Sequence, residues 1–331
     1  MSKIRQPFVQ TRRDAWVEIN LGNIEHNIKQ LMKFIKPGIK FLAVVKADAY
    51  GHGSTMIAPT LIASGVDMLG VASVDEGIQL RESGINAPIL VLGSVPSWSF
   101  TSAVENDIEL SIFTDDHIKA CVSTFERTGK KPSVHIKIDT GMHRIGLHHE
   151  QACEFITKVK QSPEIDLKGI FTHLACAETV DITKIQNEKF KNTVQDENLS
   201  IIHCLNTAGL ISYPYMQYNM VRAGIGIYGL MPDLSPDVQK IPLLKQSMSL
   251  KGRVIHLYEL KSGSSLSYGY TFTAEKDLKV ATIPIGYADG VPRSLSNKIY
   301  GILNGQKIRQ IGNITICLLY TSPSPRDYCA H

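Results

Sequence analysis

The chain has 331 residues, a length that predicts about two domains. Hydrophobic residues make up 43% and charged residues 20% of it, which is typical of a folded globular protein and excludes an intrinsically disordered one. The 35 basic residues exceed the 31 acidic ones by a net charge of +4 without a long basic run, so the charge does not indicate nucleic-acid binding. No apolar stretch approaches the roughly 20 residues that cross a bilayer, and residues 1–13 lack the apolar part of a secretory signal. We therefore expect a cytoplasmic protein that binds no membrane.

Six cysteines are scattered along the chain without a C-x-x-C pair: Cys121, Cys153, Cys176, Cys204, Cys317 and Cys329. This spacing argues against a structural zinc site and against a disulfide framework. We expect free thiols and no metal centre.

Short apolar runs alternate with longer amphipathic stretches between residues 41 and 225, the pattern of repeated βα units around a parallel sheet. The runs predict eight strands: Phe41–Val45, Met68–Ala72, Ile89–Leu92, Glu109–Phe113, Val134–Ile138, Lys168–Thr172, Ile201–Leu205 and Met220–Ala223. Eight strands suit a closed (β/α)8 barrel, but an open doubly wound sheet has the same alternation, so the periodicity leaves both folds open.

The intervening segments carry apolar side chains at three- and four-residue spacing. This pattern predicts helices over 54–64, 75–84, 115–127, 149–161 and 183–197. Ser54 and Asp75 are the candidate N-caps of the first two helices.

After about residue 238 the pattern changes to short alternating strands separated by glycines, which predicts a mostly β second domain. The predicted strands are Ser247–Leu257, Leu278–Pro284 and Lys298–Leu303. The segment Pro232–Pro242 holds three prolines among polar residues, as domain junctions often do.

Lys46 directly follows the first predicted strand of the barrel-like region. An ammonium group is costly to desolvate, and desolvation lowers the pKa of a lysine and makes its amine nucleophilic, as Schiff-base chemistry requires. The alternative is a lysine whose amine extends into water at the rim of the sheet. The residue alone does not decide between the two.

Several segments together resemble the alanine racemase family, in the order in which that family has them. They are residues 44–53 (VVKADAYGHG), 137–146 (KIDTGMHRIG), 171–174 (FTHL), 206–208 (NTA), 221–229 (VRAGIGIYG), 266–269 (LSYG) and 285–290 (IGYADG). Long motifs in register are a far stronger signal than one short pattern. The resemblance covers roughly residues 12–313 and implies a (β/α)8 TIM barrel over 12–235, followed by a mostly β C-terminal domain over 240–317 that is incomplete.

Five polar residues lie at or just beyond the carboxyl ends of five different predicted strands: Lys46, Arg144, His173, Thr207 and Arg222. Barrel enzymes assemble their active sites at this face. Gly224 and Ile225 follow the eighth strand, where backbone N–H groups of barrel loops often bind phosphate.

The resemblance implies pyridoxal 5'-phosphate as the cofactor, bonded to Lys46 as a Schiff base. It assigns the following further residues to the cofactor site: Tyr50, His173, Asn206, Thr207, Arg222, Gly224, Ile225 and Tyr228. Arg222 resembles the arginine that faces the pyridine nitrogen. Since a guanidinium keeps its proton, the ring is then a weaker electron sink, which fits a brief carbanion that is promptly reprotonated.

Racemisation needs an acid/base group on each side of the α-carbon. Lys46 resembles the base that serves the D-enantiomer, and Tyr268 resembles the tyrosine that serves the L-enantiomer. Tyr268 lies in the second domain, which in this family covers the barrel mouth of the partner subunit. The resemblance therefore implies a homodimer with composite active sites.

Arg144 resembles the residue that binds the substrate carboxylate, for which a bidentate guanidinium is suited. Lys137 resembles a lysine that is carbamylated in many members, and the alternative is a plain ion pair with Asp139 or another carboxylate. Structural roles also remain open for His173 in the barrel wall, Tyr268 in a hydrophobic core and Gly224 in a turn.

The resemblance ends near Ile316 and Cys317, where the family continues with a Met-Asp pair. Residues 318–331 do not match the family, and we interpret them as a tail that replaces the rest of the β domain, or alternatively as a genuine flexible terminus. The missing part includes a methionine at the substrate site and a tyrosine at the cofactor phosphate in other members.

The activity that the resemblance implies is interconversion of L-alanine and D-alanine, which supplies D-alanine for peptidoglycan. Two alternatives are a racemase of another or broader amino-acid range and a catalytically impaired fragment that binds the cofactor. A non-catalytic carrier of pyridoxal phosphate is disfavoured, because such proteins lack the second β domain and Tyr268.

Overall fold

The computed structural model describes residues 14–195 and 197–322. Packing divides them into two units, one of residues 19–248 and one in which residues 14–18 join residues 249–322. The second unit includes the N-terminal residues because β1 (Ala15–Ile19) pairs with the strand Met248–Gly252. The boundary expected from the sequence, between residues 235 and 240, lies earlier in the chain.

The first unit is built on a parallel sheet. Its strands are β2 (Lys40–Val44), β3 (Met68–Val71), β4 (Ile89–Val91), β5 (Leu110–Ile112), β6 (Ser133–Asp139), β7 (Leu147–His148), β8 (Asp166–Phe171), β9 (Ile201–His203) and β10 (Met220–Ala223). They pair in the orders β10-β2-β3-β4 and β5-β6-β8-β9, and the short β7 adds to β6. The eight predicted strands are confirmed, with ends that differ by at most two residues.

Two further contacts join these sheets into a closed barrel. Leu90 and Glu109 form a parallel bridge between β4 and β5. On the other side, the amide of Arg222 in β10 donates to the carbonyl of Leu205, just after β9, at 3.1 Å. The closed (β/α)8 barrel is therefore confirmed and the open sheet is excluded.

Helical segments connect the strands. They are α1 (Leu21–Met32), α2 (Lys46–Gly51), α3 (Ser54–Ala63), α4 (Val74–Glu82), α5 (Phe100–Glu105), α6 (Asp115–Thr128), α7 (Ala152–Lys160), α8 (Val180–Val194) and α9 (Thr207–Ser212). The five predicted helices correspond to α3, α4, α6, α7 and α8. The sequence analysis missed α1, α2, α5 and α9.

Both candidate N-caps are wrong. Ser73, not Asp75, caps α4, and its side chain accepts from the amide of Glu76. At α3 the cap position is Gly53, and the first helical residue, Ser54, donates its amide and its hydroxyl to Oδ1 of Asp48 at 2.6 and 3.0 Å. A carboxylate from the preceding turn thus takes the place of the expected serine cap.

The second unit is mostly β. After β1 its strands are β11 (Met248–Gly252), β12 (His256–Leu260), β13 (Ser265–Leu266), β14 (Phe272–Thr273), β15 (Leu278–Ile283), β16 (Tyr300–Leu303), β17 (Gln306–Ile311) and β18 (Leu319–Thr321). Five of them form an antiparallel sheet in the order β12-β15-β18-β17-β16. Leu266, Val280 and Ile311 form its small apolar core.

The structure differs from the predicted strands of this unit at two places. The predicted strand Ser247–Leu257 is two strands, β11 and β12, with a break between them. Leu319–Thr321, which the sequence analysis placed in the tail, forms β18 and pairs with both β15 and β17. The remainder of the proposed tail, 323–331, which includes Cys329, lies outside the described residues.

No helix among the described residues is long and apolar enough to cross a membrane.

Candidate active site

A cavity of about 380 Å³ lies at the carboxyl ends of the barrel strands. Its lining includes ten of the residues singled out from the sequence: Lys46, Tyr50, Lys137, Arg144, His173, Asn206, Thr207, Arg222, Gly224 and Ile225. The lining also includes Val44, Ala72, Leu92, Gly93, Ile145, Phe171, Ala208 and Pro232, which the sequence analysis missed as site residues. None of them carries a polar side chain, so they give no chemical signal in the sequence.

The segment after Lys46 has an unusual backbone. Ala47, Asp48, Ala49 and Tyr50 all adopt the left-handed region, with φ between 51° and 55°. For residues other than glycine this conformation costs roughly 1–2 kcal/mol each, and it persists only where surrounding contacts hold it. The element α2 is therefore a left-handed turn that carries Lys46 at one end and Tyr50 at the other.

Hydrogen bonds from both sides hold this turn. Glu76, in α4, accepts the amide of Ala47 through Oε1 at 2.8 Å and the amide of Ala72 through Oε2 at 2.8 Å. Within the turn the carbonyl of Asp48 accepts the amide of Gly53 at 3.0 Å. The sequence analysis missed Glu76, although an acidic residue in the first turn of a helix beside the barrel mouth is a recognisable signal.

Tyr228 lies behind Tyr50 and does not line the cavity. Its ring is buried, and the two ring centroids are 5.0 Å apart. Its hydroxyl donates to the carbonyl of Val44 at 2.8 Å. Tyr228 thus supports Tyr50 and the end of β2, while the Tyr50 ring faces the cavity.

Lys46 directly precedes the four left-handed residues and lines the cavity. Burial lowers its pKa from the ordinary lysine value, and the nearby guanidinium of Arg144 lowers the pKa further, whereas Glu76 acts in the opposite direction. A larger share of neutral amine is available here than on a surface lysine. This is the property that a nucleophilic lysine needs.

Arg222 is 3% exposed, and the structure gives it no carboxylate partner among the described residues. Its guanidinium donates to the carbonyls of Thr172 at 2.7 Å and Cys204 at 3.0 Å. It also contacts Nδ1 of His203 at 2.5 Å and Nδ1 of His173 at 3.3 Å. Burial lowers the pKa of Arg222 to about 10, so the guanidinium remains protonated at neutral pH.

His173 contacts Arg222 and lines the cavity. Burial, followed by the positive charge of Arg222, holds its pKa well below the ordinary histidine value. His173 is therefore neutral at physiological pH.

Lys137 is 5% exposed and donates to the carbonyl of Leu92 at 3.1 Å. Burial and then the positive charges of Arg222, Arg144 and Lys46 lower the pKa of Lys137 to about 7, although Asp139 raises it. The ion pair with Asp139, which the sequence left open as an alternative, is absent from the described contacts. The carboxylate of Asp139 instead accepts the amides of residues 141–143 at 2.9 to 3.1 Å.

These backbone bonds to Asp139 shape the loop that carries Arg144. Gly146, two residues after Arg144, has φ +130°, and a Cβ there would lie 3.1 Å from the amide nitrogen of Asp139. The loop therefore folds back on the end of β6 and presents Arg144 at the open side of the cavity. The Arg144 side chain is exposed.

Asn206, Thr207 and Gly224 form the opposite wall. Asn206 accepts the amide of Gly209 at 2.8 Å and so caps α9, while Thr207 accepts the amide of Gly224 through Oγ1 at 2.9 Å. A Cβ on Gly224 would lie 3.0 Å from the hydroxyl oxygen of Tyr50. A side chain at 224 would therefore crowd the space between Tyr50 and Thr207, which gives this glycine a reason beyond its turn.

Tyr268 belongs to the second unit and is not among the residues that line the barrel cavity. It is 73% exposed, and its carbonyl accepts the side-chain amide of Asn313 at 2.6 Å. Ser267 and Gly269 on either side have φ of 67° and 71°. Tyr268 is thus not a core tyrosine, which was the alternative that the sequence left open.

Family models match both units of the chain. The N-terminal domain of alanine racemase matches residues 19–232, and its C-terminal domain matches residues 247–321. The chain belongs to the alanine racemase family. The C-terminal match ends at 321, so it includes β18.

Known members agree with this assignment. An alanine racemase of Nostoc sp. is 39% identical over 318 residues, which cover 91% of this chain and 80% of the relative. The solved alanine racemase of Clostridium difficile superposes with a TM-score of 0.89 at 34% identity, covering 95% of this chain and 84% of that one. A histidine racemase from Leuconostoc mesenteroides superposes with a TM-score of 0.85 at 29% identity, covering 96% of this chain and 86% of that one.

Proposed function

We propose that this chain binds pyridoxal 5'-phosphate and interconverts L-alanine and D-alanine. The observation that carries the proposal is that one cavity of this family member's barrel holds both Lys46, whose pKa is lowered, and Arg222, which has no carboxylate partner among the described residues. The first is a nucleophilic amine. The second is a buried cation that cannot pass a proton to a ligand.

The cavity residues fit the cofactor at three points. Lys46 is the amine to which its aldehyde carbon would bond. Arg222 would face the ring nitrogen, and Thr207, Gly224 and Ile225 form a small-residue wall with a hydroxyl and backbone amides suited to a phosphate. Tyr50 would lie beside that wall, because its hydroxyl oxygen is 3.0 Å from the Cβ position of Gly224.

When bound, pyridoxal phosphate supplies an electron sink that acidifies the α-hydrogen of an amino acid. Arg222 would set how strong that sink is. Because its guanidinium keeps its own proton, it would leave the ring nitrogen unprotonated, which would limit the sink and favour prompt return of a proton to the α-carbon. Arg222 at this position would therefore favour racemisation over reactions that need a long-lived carbanion.

Two residues of this chain would move the proton. Lys46, with its lowered pKa, would act on the D-enantiomer, and Tyr268 on the L-enantiomer. We assign Tyr268 to the site of a partner subunit in a homodimer, as its exposed position in the second unit allows. Each group would hold the proton that it removes from one face while the other group delivers its proton to the opposite face.

Arg144 would bind the substrate carboxylate through its guanidinium. Lys137 would carry a carbamate. Its pKa of about 7 makes the neutral amine, which is the form that reacts with carbon dioxide, well populated at neutral pH. The negative carbamate would offset the three cations around it and orient Arg144.

The product would be D-alanine for peptidoglycan synthesis in the cytoplasm. This physiological assignment depends on the racemase activity and on the family. It adds no chemistry to the site.

A second substrate class is supported by the similarity to a histidine racemase. The test is to load the full chain with pyridoxal phosphate and supply L-alanine, L-serine, L-histidine and L-lysine separately, with chiral chromatography of the products. We expect D-alanine to form with the highest kcat/KM. A higher kcat/KM for another amino acid would reassign the substrate, and no D-amino acid from a cofactor-loaded chain would overturn the proposed function.

A further inference from the structure

A line of buried polar side chains runs through the interior of the barrel, away from the cavity. Nη1 of Arg222 contacts Nδ1 of His203 at 2.5 Å, and at the far end Nε2 of His135 contacts Oε2 of Glu109 at 2.6 Å. The rings of His203 and His135 pack edge to face with their centroids 5.7 Å apart. Both histidines are fully buried, and the side chain of Glu109 is 16% exposed.

The bonds at the two ends fix where each histidine carries its proton. A guanidinium only donates, so Nδ1 of His203 must be a lone pair, and neutral His203 then carries its proton on Nε2. A carboxylate only accepts, so His135 carries its proton on Nε2, and a neutral His135 has a lone pair on Nδ1. Burial, followed by the positive charge of Arg222, holds the pKa of His203 well below its ordinary value, which keeps that ring neutral.

The two remaining ring nitrogens are complementary. Nε2 of His203 and Nδ1 of His135 are both buried and have no hydrogen-bond partner among the described residues. One is a donor and the other an acceptor by the argument above. Buried polar atoms rarely stay unpaired, and these two belong to rings that touch each other.

The barrel leaves room for this arrangement. A Cβ on Gly169, in β8, would lie 2.7 Å from Nδ1 of His135, so only glycine leaves this nitrogen accessible. Phe171, two residues later, stacks on His203 with the ring planes 4° apart and the centroids 4.8 Å apart. This stacking fixes the orientation of the His203 ring.

We propose that Glu109 and His135 are positioning residues that hold His203 in its Nε2-protonated form, and that His203 in turn holds Arg222. The hydrogen bonds then run in one direction, from Arg222 through His203 and His135 to the carboxylate of Glu109. In this proposal Nε2 of His203 donates to Nδ1 of His135 across the edge-to-face contact of the two rings. The inference rests on the proposed function only in that Arg222 faces the cofactor ring.

The direction in which these hydrogen bonds run matters for Arg222. If His203 carried its proton on Nδ1, two donors would face each other, and the guanidinium would have to leave the carbonyls of Thr172 and Cys204. Glu109 lies at the opposite end of the barrel from the cavity and is separated from Arg222 by two side chains. A change at Glu109 should therefore reach Arg222 without any contact to the site.

The first test observes the protons directly. The full chain, labelled with ¹⁵N-histidine and free of cofactor, is examined by NMR, with His135→Gln and His203→Gln used to assign the signals. We expect both histidines as neutral rings protonated on Nε2. A doubly protonated His135, or either ring protonated on Nδ1, would overturn the inference, and this measurement needs no variant to remain active.

The second test removes the hydrogen bond at the Glu109 end of this row of side chains. In Glu109→Leu, His135 loses its acceptor, and we expect the ¹⁵N signals of His203 to change although His203 does not touch residue 109. The matched control is Ser111→Ala, which removes the buried bond from Ser111 Oγ to the carbonyl of Val91 at 2.5 Å in the adjoining strand. His203 signals that stay unchanged in Glu109→Leu would overturn the inference.

Cofactor affinity supplies a separate readout. We expect Glu109→Leu to weaken pyridoxal phosphate binding about three- to tenfold, the scale of one internal hydrogen bond, and Ser111→Ala to leave it unchanged. If the NMR results are as expected but the protein forms no D-amino acid, the proposed function is wrong and the positioning role of Glu109 and His135 stands. If the protein racemises alanine but the His203 signals do not respond to the substitution at residue 109, the proposed function stands and the positioning role is wrong.

Discussion

Glu76 holds Ala47 by a hydrogen bond of 2.8 Å from the amide nitrogen of Ala47 to its carboxylate oxygen Oε1. Ala47 is the residue after Lys46 and the first of four left-handed residues. The same carboxylate binds the amide of Ala72, so a single side chain ties the turn to the end of β3. The position of the lysine amine therefore depends on a residue that does not itself line the cavity.

Replacing Glu76 tests this dependence. We expect Glu76→Ala to lower the free energy of unfolding by about 1–3 kcal/mol, since two hydrogen bonds to a partly exposed charged group are lost, and to weaken cofactor binding. The measurements are thermal melting and cofactor titration. Glu82→Ala, at the exposed end of the same helix, is the control and should change neither.

Lys46 should be the point of cofactor attachment. Borohydride reduction of the loaded chain followed by peptide mapping is expected to place the label on residue 46. Lys40→Arg, at the exposed start of β2, should not alter the labelling. A label on any other lysine would contradict the assignment.

Tyr268 should act on one enantiomer. We expect Tyr268→Phe to lower turnover from L-alanine by about 10²- to 10⁴-fold, the usual contribution of a general base, with little change in cofactor affinity. Tyr270→Phe is a close control because both tyrosines are 73% exposed. Equal effects of the two substitutions would remove Tyr268 from the mechanism.

Lys137 gives a pH-dependent prediction. Its pKa is about 7 in the folded chain and about 10.5 when unfolded, so the unfolded chain binds more protons between these values. The contribution of Lys137 to the free energy of unfolding therefore rises as pH increases from about 7 to about 10.5 and is least favourable below pH 7. Lys137→Met should remove this pH dependence, as measured by denaturant unfolding across the range.

Carbamylation of Lys137 would remove the free-energy cost of burying a positive charge at this position. We expect bicarbonate at pH 8 to raise the melting temperature of the chain and, with ¹³C-bicarbonate, to give a carbamate signal in the NMR spectrum. Lys119→Met, which changes an exposed lysine paired with Asp116, should retain both effects. Their persistence in Lys137→Met would show that the carbamate forms elsewhere.

The barrel strands could be predicted because each is buried on both faces. A run such as Ile89–Leu92 is apolar throughout and stands out, and similar runs recur along the chain at regular spacing. Five predicted site residues follow from the same fact, because residues at or just beyond the carboxyl ends of such strands lie at the barrel mouth: Lys46, Arg144, His173, Thr207 and Arg222. The resemblance to the family supplied the others. Among these, Tyr228 does not line the cavity, because a residue within a short helical turn after β10 can face either the cavity or the wall.

The left-handed turn could not be predicted from propensity. Its four residues include no glycine, and alanine favours right-handed helix. The conformation comes from tertiary contacts with Glu76 and Ser54. Because this turn also brings Asp48 to Ser54, the same contacts explain why the N-cap predicted for α3 was wrong.

The second unit was harder to predict because its strands are short and half exposed. In β17 the buried Ile308 and Gln310 alternate with the exposed Lys307 and Arg309, and a buried glutamine does not register as part of an apolar face. Leu319–Thr321 is only three residues long. Its pairing with β15 and β17 depends on strands far away in sequence.

Racemisation of alanine in D₂O tests the central claim most directly. The full chain is loaded with pyridoxal phosphate and given L-alanine. As the reaction proceeds, the enantiomers are separated and the deuterium content of each is measured by mass spectrometry. We expect D-alanine that carries one solvent deuterium at the α-carbon, formed until the two enantiomers are equal in amount. Replacement of the α-hydrogen of L-alanine by deuterium without formation of D-alanine would contradict the proposed racemase activity. So would the absence of any reaction by a fully loaded chain.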